Sequence, residues 1–102
     1  MGINRNLHII FRQAAKAEFI EAGKWYESKQ AGLASEFMAE IGRCISLASA
    51  SPEQFPVHRR DIRYIITKRF PYKIFFRTEP DAIVILAVFH NKRDPAVLTA
   101  RH

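Results

Sequence analysis

Hydrophobic and polar positions alternate along this chain with two different periods, and the switch between them marks out its elements. Leu7-His8-Ile9-Ile10-Phe11 is a short apolar run with two isoleucines and predicts a first strand. From Gln13 to about Gln30 the period becomes helical, with Ala15, Phe19, Ala22 and Tyr26 four, three and four residues apart on one face. Lys16, Lys24 and Glu27 lie off that stripe, and Trp25 is read as a helix-packing residue. Gly23 costs such a helix about 1 kcal/mol relative to alanine, so close packing against a neighbouring helix is its expected use. Ala31-Gly32 breaks the pattern, and Gly32 suits a left-handed helix stop. A second helix follows from about Leu33 to Ser49, with Leu33, Phe37, Ile41, Cys44 or Ile45, and Ala48 inward, and Glu36, Glu40 and Arg43 outward. So short a break between two amphipathic helices predicts an αα-hairpin.

Pro52 and Pro56 bracket a loop, after which the period falls to two. Ile62–Thr67 predicts a strand with Ile62, Tyr64 and Ile66 on one side and Arg63, Ile65 and Thr67 on the other. Lys68-Arg69-Phe70-Pro71 connects it to Tyr72–Arg77, where Tyr72, Ile74 and Phe76 face opposite to Lys73, Phe75 and Arg77. Thr78-Glu79-Pro80-Asp81 reads as a turn, and Ala82–Phe89 is apolar at nearly every position, the pattern of an interior strand. The tail from Asp94 to His102 predicts a helical turn, with Asp94 as cap and Pro95 at its first position. The fold class is therefore α+β, in the order β-α-α-β-β-β. A helical hairpin packs on a small, mainly antiparallel twisted sheet, with the first strand added at one side. The other sheet face, left exposed, is where Arg63, Lys73 and Arg77 are expected to gather.

Composition narrows the classes of function. At 102 residues the chain forms one domain, and 48% hydrophobic residues supply a core without staples. The longest apolar run, Ala82–Phe89, falls well short of the roughly 20 residues that span a bilayer. Residues 1–6 lack the charged and then apolar stretch of a secretory signal. A single cysteine, Cys44, permits no internal disulfide, which points to a reducing cytoplasm. His8, His58, His90 and His102 show no close ligand spacing, so neither metal nor cofactor is expected.

Charge changes the picture more. Residues 1–56 hold six basic and six acidic side chains, whereas residues 57–102 hold ten basic and four acidic ones, so the whole net +6 lies in the second half. Such a separation suits an acidic macromolecular partner, and it equally suits a basic surface kept for solubility.

Several stretches, in their order and spacing, resemble the ParE/RelE superfamily of small bacterial toxins. They are Ala17-Glu18-Phe19-Ile20-Glu21-Ala22, Trp25-Tyr26-Glu27, Gly32-Leu33 with Phe37, and Arg63 before Arg69-Phe70-Pro71-Tyr72-Lys73-Ile74-Phe75-Phe76. Ile83–His90, followed by Arg93 and Pro95, completes the set, which covers about residues 7–97. The resemblance implies the toxin of a type II toxin–antitoxin, or plasmid stabilisation, module, bound in a hetero-oligomer by a cognate antitoxin. RelE-like members cut messenger RNA on the ribosome, and ParE-like members act on DNA gyrase. The Arg69–Tyr72 run and the end of the last strand look more like the ParE-type branch. A ribosome-dependent endoribonuclease is the alternative, and a non-toxic binding module a lesser one.

A metal-free ribonuclease needs groups to activate a ribose hydroxyl, stabilise the phosphorane and protonate the leaving oxygen. The resemblance nominates His90, Arg63, Arg93 and Lys68 for those duties. It nominates Arg63, Lys68, Arg69, Lys73, Arg77, Lys92 and Arg93 for holding target or antitoxin. Against catalysis, Phe70 and Tyr72 are in phase with core positions, and no tyrosine follows His90. RelE-type nucleases often carry further lysines along the second strand, where this chain has Lys68 alone. These departures favour gyrase over messenger RNA.

Overall fold

The computed structural model describes residues 7–101; the N-terminal stretch 1–6 and His102, each read above from sequence, lie outside them. In chain order the elements are β1 (His8–Phe11), α1 (Gln13–Lys29), α2 (Leu33–Ala50) and a 3-10 turn (Pro52–Gln54). β2 (Val57–Arg59), β3 (Ile62–Ile66), β4 (Tyr72–Glu79), β5 (Ala82–His90) and a C-terminal 3-10 segment (Pro95–Arg101) follow. The sheet runs β1-β5-β4-β3-β2, with β1 parallel to β5 and every other pair antiparallel. β5 is thus an interior strand, and its continuous apolar run is buried from Ala82 to Phe89.

β2 was not expected. Its three residues are all exposed, so no alternation announces it, and only backbone pairing across the Arg60-Asp61 turn makes it a strand. β4 runs two residues further than its alternation predicts, to Glu79, so the turn narrows to Pro80-Asp81. Thr67 leaves β3 because it turns back on the next hairpin: its N–H donates to Tyr72 O at 3.1 Å, and its hydroxyl donates to the Phe70 carbonyl.

The helical hairpin closes as its pattern requires. Gly32 adopts φ 89°, the left-handed region open to glycine. Glu27, which the periodicity assigns to solvent, caps α2: its carboxylate accepts from Gly32 N at 3.0 Å and Ala34 N at 3.0 Å. Those backbone donors hold its carboxyl below the usual range. Gly23 departs from expectation, since a Cβ there would meet no atom within 4 Å. Close helix packing is not its purpose.

Two cores sandwich the sheet. Between hairpin and sheet, Phe37 is fully buried, with ring centroids 5.2 Å from Tyr26, 5.3 Å from Phe70 and 5.2 Å from Tyr72. Ile41, Ile45, Ile74, Phe76, Ile83 and Ile85 pack around these rings. The second core, Ile62, Phe75, Val84, Leu86, Phe89 and Leu98, occupies the face expected to be open. The C-terminal segment covers it through Leu98, capped by Asp94 Oδ1 accepting from Ala96 N at 3.0 Å. A bulge feeds this core: Phe75 pairs with Ala87 and Phe76 with Ile85, so Leu86 is the extra residue and joins Ala87 on the same face.

Candidate functional site

β1 pairs with β5 only from Ala82 to Ile85, after which the chain leaves through Arg12, whose N–H donates to Ile85 O at 3.0 Å. From Leu86 to His90, β5 therefore has no neighbouring strand on that side among the described residues, and its backbone groups need other partners. Two charged side chains supply them. Glu18 of α1 accepts from Val88 N at 3.0 Å, and Arg101 donates to Leu86 O at 3.3 Å. The other Glu18 oxygen holds Arg101 at 2.7 Å and Arg93 at 3.1 Å. Both guanidinium groups lie over the Phe89 ring, at 5.1 and 4.3 Å from its centroid. One carboxylate in the N-terminal half of α1 thereby ties that helix, the open strand edge and the C-terminal segment together.

Beside this tie runs a groove of about 750 Å³ between α1 and the end of β5. Trp25, Tyr26, Pro71, Tyr72 and Val88 give it apolar walls; Glu18, Glu21, His90 and Arg93 give it charge. Trp25, expected to pack against a helix, is instead 56% exposed, held only along one edge by Tyr26 at 5.1 Å and by Lys29 over its face at 5.0 Å. Burial pushes the Tyr26 and Tyr72 phenols up, and Tyr72 is raised further by Tyr26, so both stay neutral at physiological pH.

The sequence-nominated residues separate into groups. His90 stands at the end of β5 beside the groove, its Nδ1 accepting from Lys92 N at 3.1 Å and its ring 5.4 Å from Tyr72. Lys92 and Arg93 follow in the same turn. Lys68 and Arg69 lie elsewhere, on the β3–β4 connection against α2. Lys68 N donates to Glu40 Oε2 at 2.8 Å, and Arg69 pairs with Glu36. Glu40 is only 11% exposed and holds Arg43 through two bonds of 2.9 Å, which with the backbone donors of Lys68 and Arg69 brings its carboxyl down to about 2. The outward face assigned to Glu40 is thus an inner wall.

Arg63, Lys73 and Arg77 do not gather on one exposed face. Arg63 faces the helical side, in register with Phe76, and donates to the Phe55 carbonyl at 2.6 Å. Lys73 and Arg77 share the opposite face: Lys73 lies 5.7 Å from the Tyr64 ring, and Arg77 pairs with Glu79 at 2.8 Å. Register sets the distance between the proposed catalytic groups as well. Arg63 aligns across β4 with Ile85, four to five residues short of His90, which is about 15 Å along the strand. Cys44 is buried, and burial raises its thiol, consistent with an inert core residue.

Glu18, Trp25 and Arg101 are the site residues that sequence reasoning missed. Trp25 offered one signal, an extra aromatic beside a stripe already completed by Tyr26. Nothing local marks Glu18 and Arg101, whose meeting depends on the tail folding back.

Among the described residues no group of three or more His, Cys, Asp or Glu is arranged to hold a metal ion, and no helix is long and apolar enough to cross a membrane. No curated protein matches the sequence. Among solved structures, a chain of the chromosomal ParDE TA system from P. aeruginosa superposes with a TM-score of 0.70 at 18% identity, over 84% of this chain and 97% of that one. The likeness establishes a shared fold, including the five-stranded mixed sheet. The sequence profile of the ParE toxin of the type II toxin-antitoxin system parDE matches residues 9–95, a span that takes in most of β1, both helices, all later strands and the Glu18–Arg93 tie. The chain belongs to the ParE toxin family of type II toxin–antitoxin systems.

Proposed function

We propose that this toxin arrests growth by engaging DNA gyrase in the cytoplasm and not by cutting messenger RNA, and that a cognate antitoxin holds it inactive in a hetero-oligomer. The observation that carries the reading is the scatter of the groups a metal-free nuclease would need. Phosphoryl-ester cleavage requires an acid, a base and a charge stabiliser within hydrogen-bond reach of one phosphate. Arg63 is about 15 Å along the strand from His90 and is spent on backbone carbonyls. Lys68 lies against α2, and Arg93 is held by Glu18. Only His90 and Arg93 border a common groove, together with two phenols whose raised pKa suits them poorly as bases.

The antitoxin reading draws on the same groove. Among the described residues the edge of β5 from Leu86 to His90 lacks a strand neighbour, and exposed Trp25 stands beside it; the groove suits an amphipathic helix, and a strand added here must displace Glu18 and Arg101 from Val88 N and Leu86 O. Lys68, Arg69, Lys73, Arg77, Lys92 and Arg93 remain the proposed contacts for an acidic antitoxin tail or for the target.

The test is induction in growing cells, with primer extension along translated messages. Growth should stop without new codon-linked cuts, and a variant combining Arg63→Ala, His90→Ala and Arg93→Ala should not owe any lost toxicity to lost cleavage. Cuts that appear with the wild type and vanish in His90→Ala would establish the ribonuclease instead.

A further inference from the structure

A second concavity lies on the opposite sheet face, between the β2–β3 turn and the C-terminal 3-10 segment, and neither the groove nor the gyrase reading uses it. It holds about 100 Å³, room for one phosphoryl group but not for a base and sugar besides. Its floor is Ile62 and Leu98, and its rim is His58, Arg59, Arg60 and Thr99; among the described residues no acidic side chain lines it, Asp61 lying in the same turn outside the lining. Arg59 Nη1 donates to the Thr99 hydroxyl at 3.0 Å, which fixes one guanidinium at the mouth and leaves the hydroxyl's own hydrogen to give. His58 is steadied by ring contact with Phe75 at 5.2 Å.

The backbone adds an independent observation. Arg60 adopts φ 53°, and it is the one residue other than glycine with positive φ among the described residues. Glycine, asparagine or aspartate suits a turn position of this kind, and an arginine there costs about 1–2 kcal/mol. The turn itself does not call for arginine. What arginine brings is a second forked cation at the rim, beside Arg59, in the half of the chain that carries the whole net charge.

We infer that this concavity is a phosphate-binding site, which takes one phosphoryl group between Arg59, Arg60, His58 and the Thr99 hydroxyl. Paired guanidinium forks match the oxygens of a phosphoryl group, and the apolar floor keeps water from competing beneath it. The same chemistry is presented by free phosphate and by a nucleic-acid backbone.

Amide and arginine Nε spectra of the antitoxin-free toxin, titrated separately with inorganic phosphate and with a short DNA duplex, test the inference. Phosphate should shift the signals of Arg59, Arg60 and Thr99. Arg60→Gly should weaken this binding about tenfold or more, while its melting temperature stays the same or rises because glycine accepts the turn's φ. Loss of binding is then separated from loss of fold. Tighter binding of the duplex than of phosphate, at the same signals, identifies a nucleic-acid backbone as the source; phosphate alone identifies a free anion. The inference is overturned if neither probe moves these signals, if Arg60→Gly binds as the wild type does, or if only a glutamate-rich peptide occupies the site.

Discussion

Replacing Glu40 by glutamine removes a charge from the seam between α2 and the β3–β4 connection while keeping the side chain's shape. In the wild type one carboxylate oxygen accepts from Arg43 Nε at 2.9 Å, and the other from Arg43 Nη2 at 2.9 Å and Lys68 N at 2.8 Å. These donors, Arg43 first, bring the carboxyl from its ordinary 4.5 to about 2. A depression of that size corresponds to about 3 kcal/mol of stability at neutral pH. Arg43 is 42% exposed, so solvent screening leaves about 1–2 kcal/mol, or a fall in melting temperature of about 5–15 °C for a domain of this length. Because the folded pKa is the lower one, the contribution is full above about pH 4.5. It shrinks as pH falls toward 2, and is gone only below that, where the carboxyl is protonated in both states. Urea unfolding of wild type and Glu40→Gln at pH 7, 4 and 2.5 reads this directly: the gap between them should narrow steadily on acidification. A gap that stays constant over the whole range would mean that shape and not charge holds the seam, and no gap at pH 7 would refute the electrostatic argument outright.

Two further substitutions test the remaining structural claims. Glu18→Ala strips Val88 N, Arg93 and Arg101 of a shared acceptor and should cost about 2–3 kcal/mol. Hydrogen exchange at the Val88 amide should rise with it, and unchanged protection there would contradict the tie. Gly23→Ala should stabilise α1 by up to about 1 kcal/mol, since its Cβ meets nothing within 4 Å. A lowered melting temperature would show that the helix needs the glycine after all.

Most of the architecture was legible because burial imposes period on sequence. The stripes Ala15-Phe19-Ala22-Tyr26 and Phe37-Ile41-Cys44-Ala48 set both helices, and the unbroken Ala82–Phe89 run set the central strand. What escaped has no period to show. β2 is three exposed residues with no buried position to set a period. The covered second face depends on Leu98 returning from the tail, and the bulge at Leu86 is a register shift that composition does not encode. The candidate site was legible only in part for the same reason. His90, Lys92 and Arg93 adjoin in sequence and stay together, whereas Arg63 shares their charge and none of their surroundings. Glu18 meets Arg93 and Arg101 across most of the chain, a contact that follows from the fold and not from spacing.

Action of the free toxin on gyrase is the step on which the proposed function rests. It is read from supercoiling of relaxed plasmid by purified gyrase, titrated with toxin released from its antitoxin. Supercoiling should fall as toxin is added, be restored by antitoxin, and fall equally with the His90→Ala variant. Undiminished supercoiling at an excess of toxin that still arrests growth in cells would contradict it.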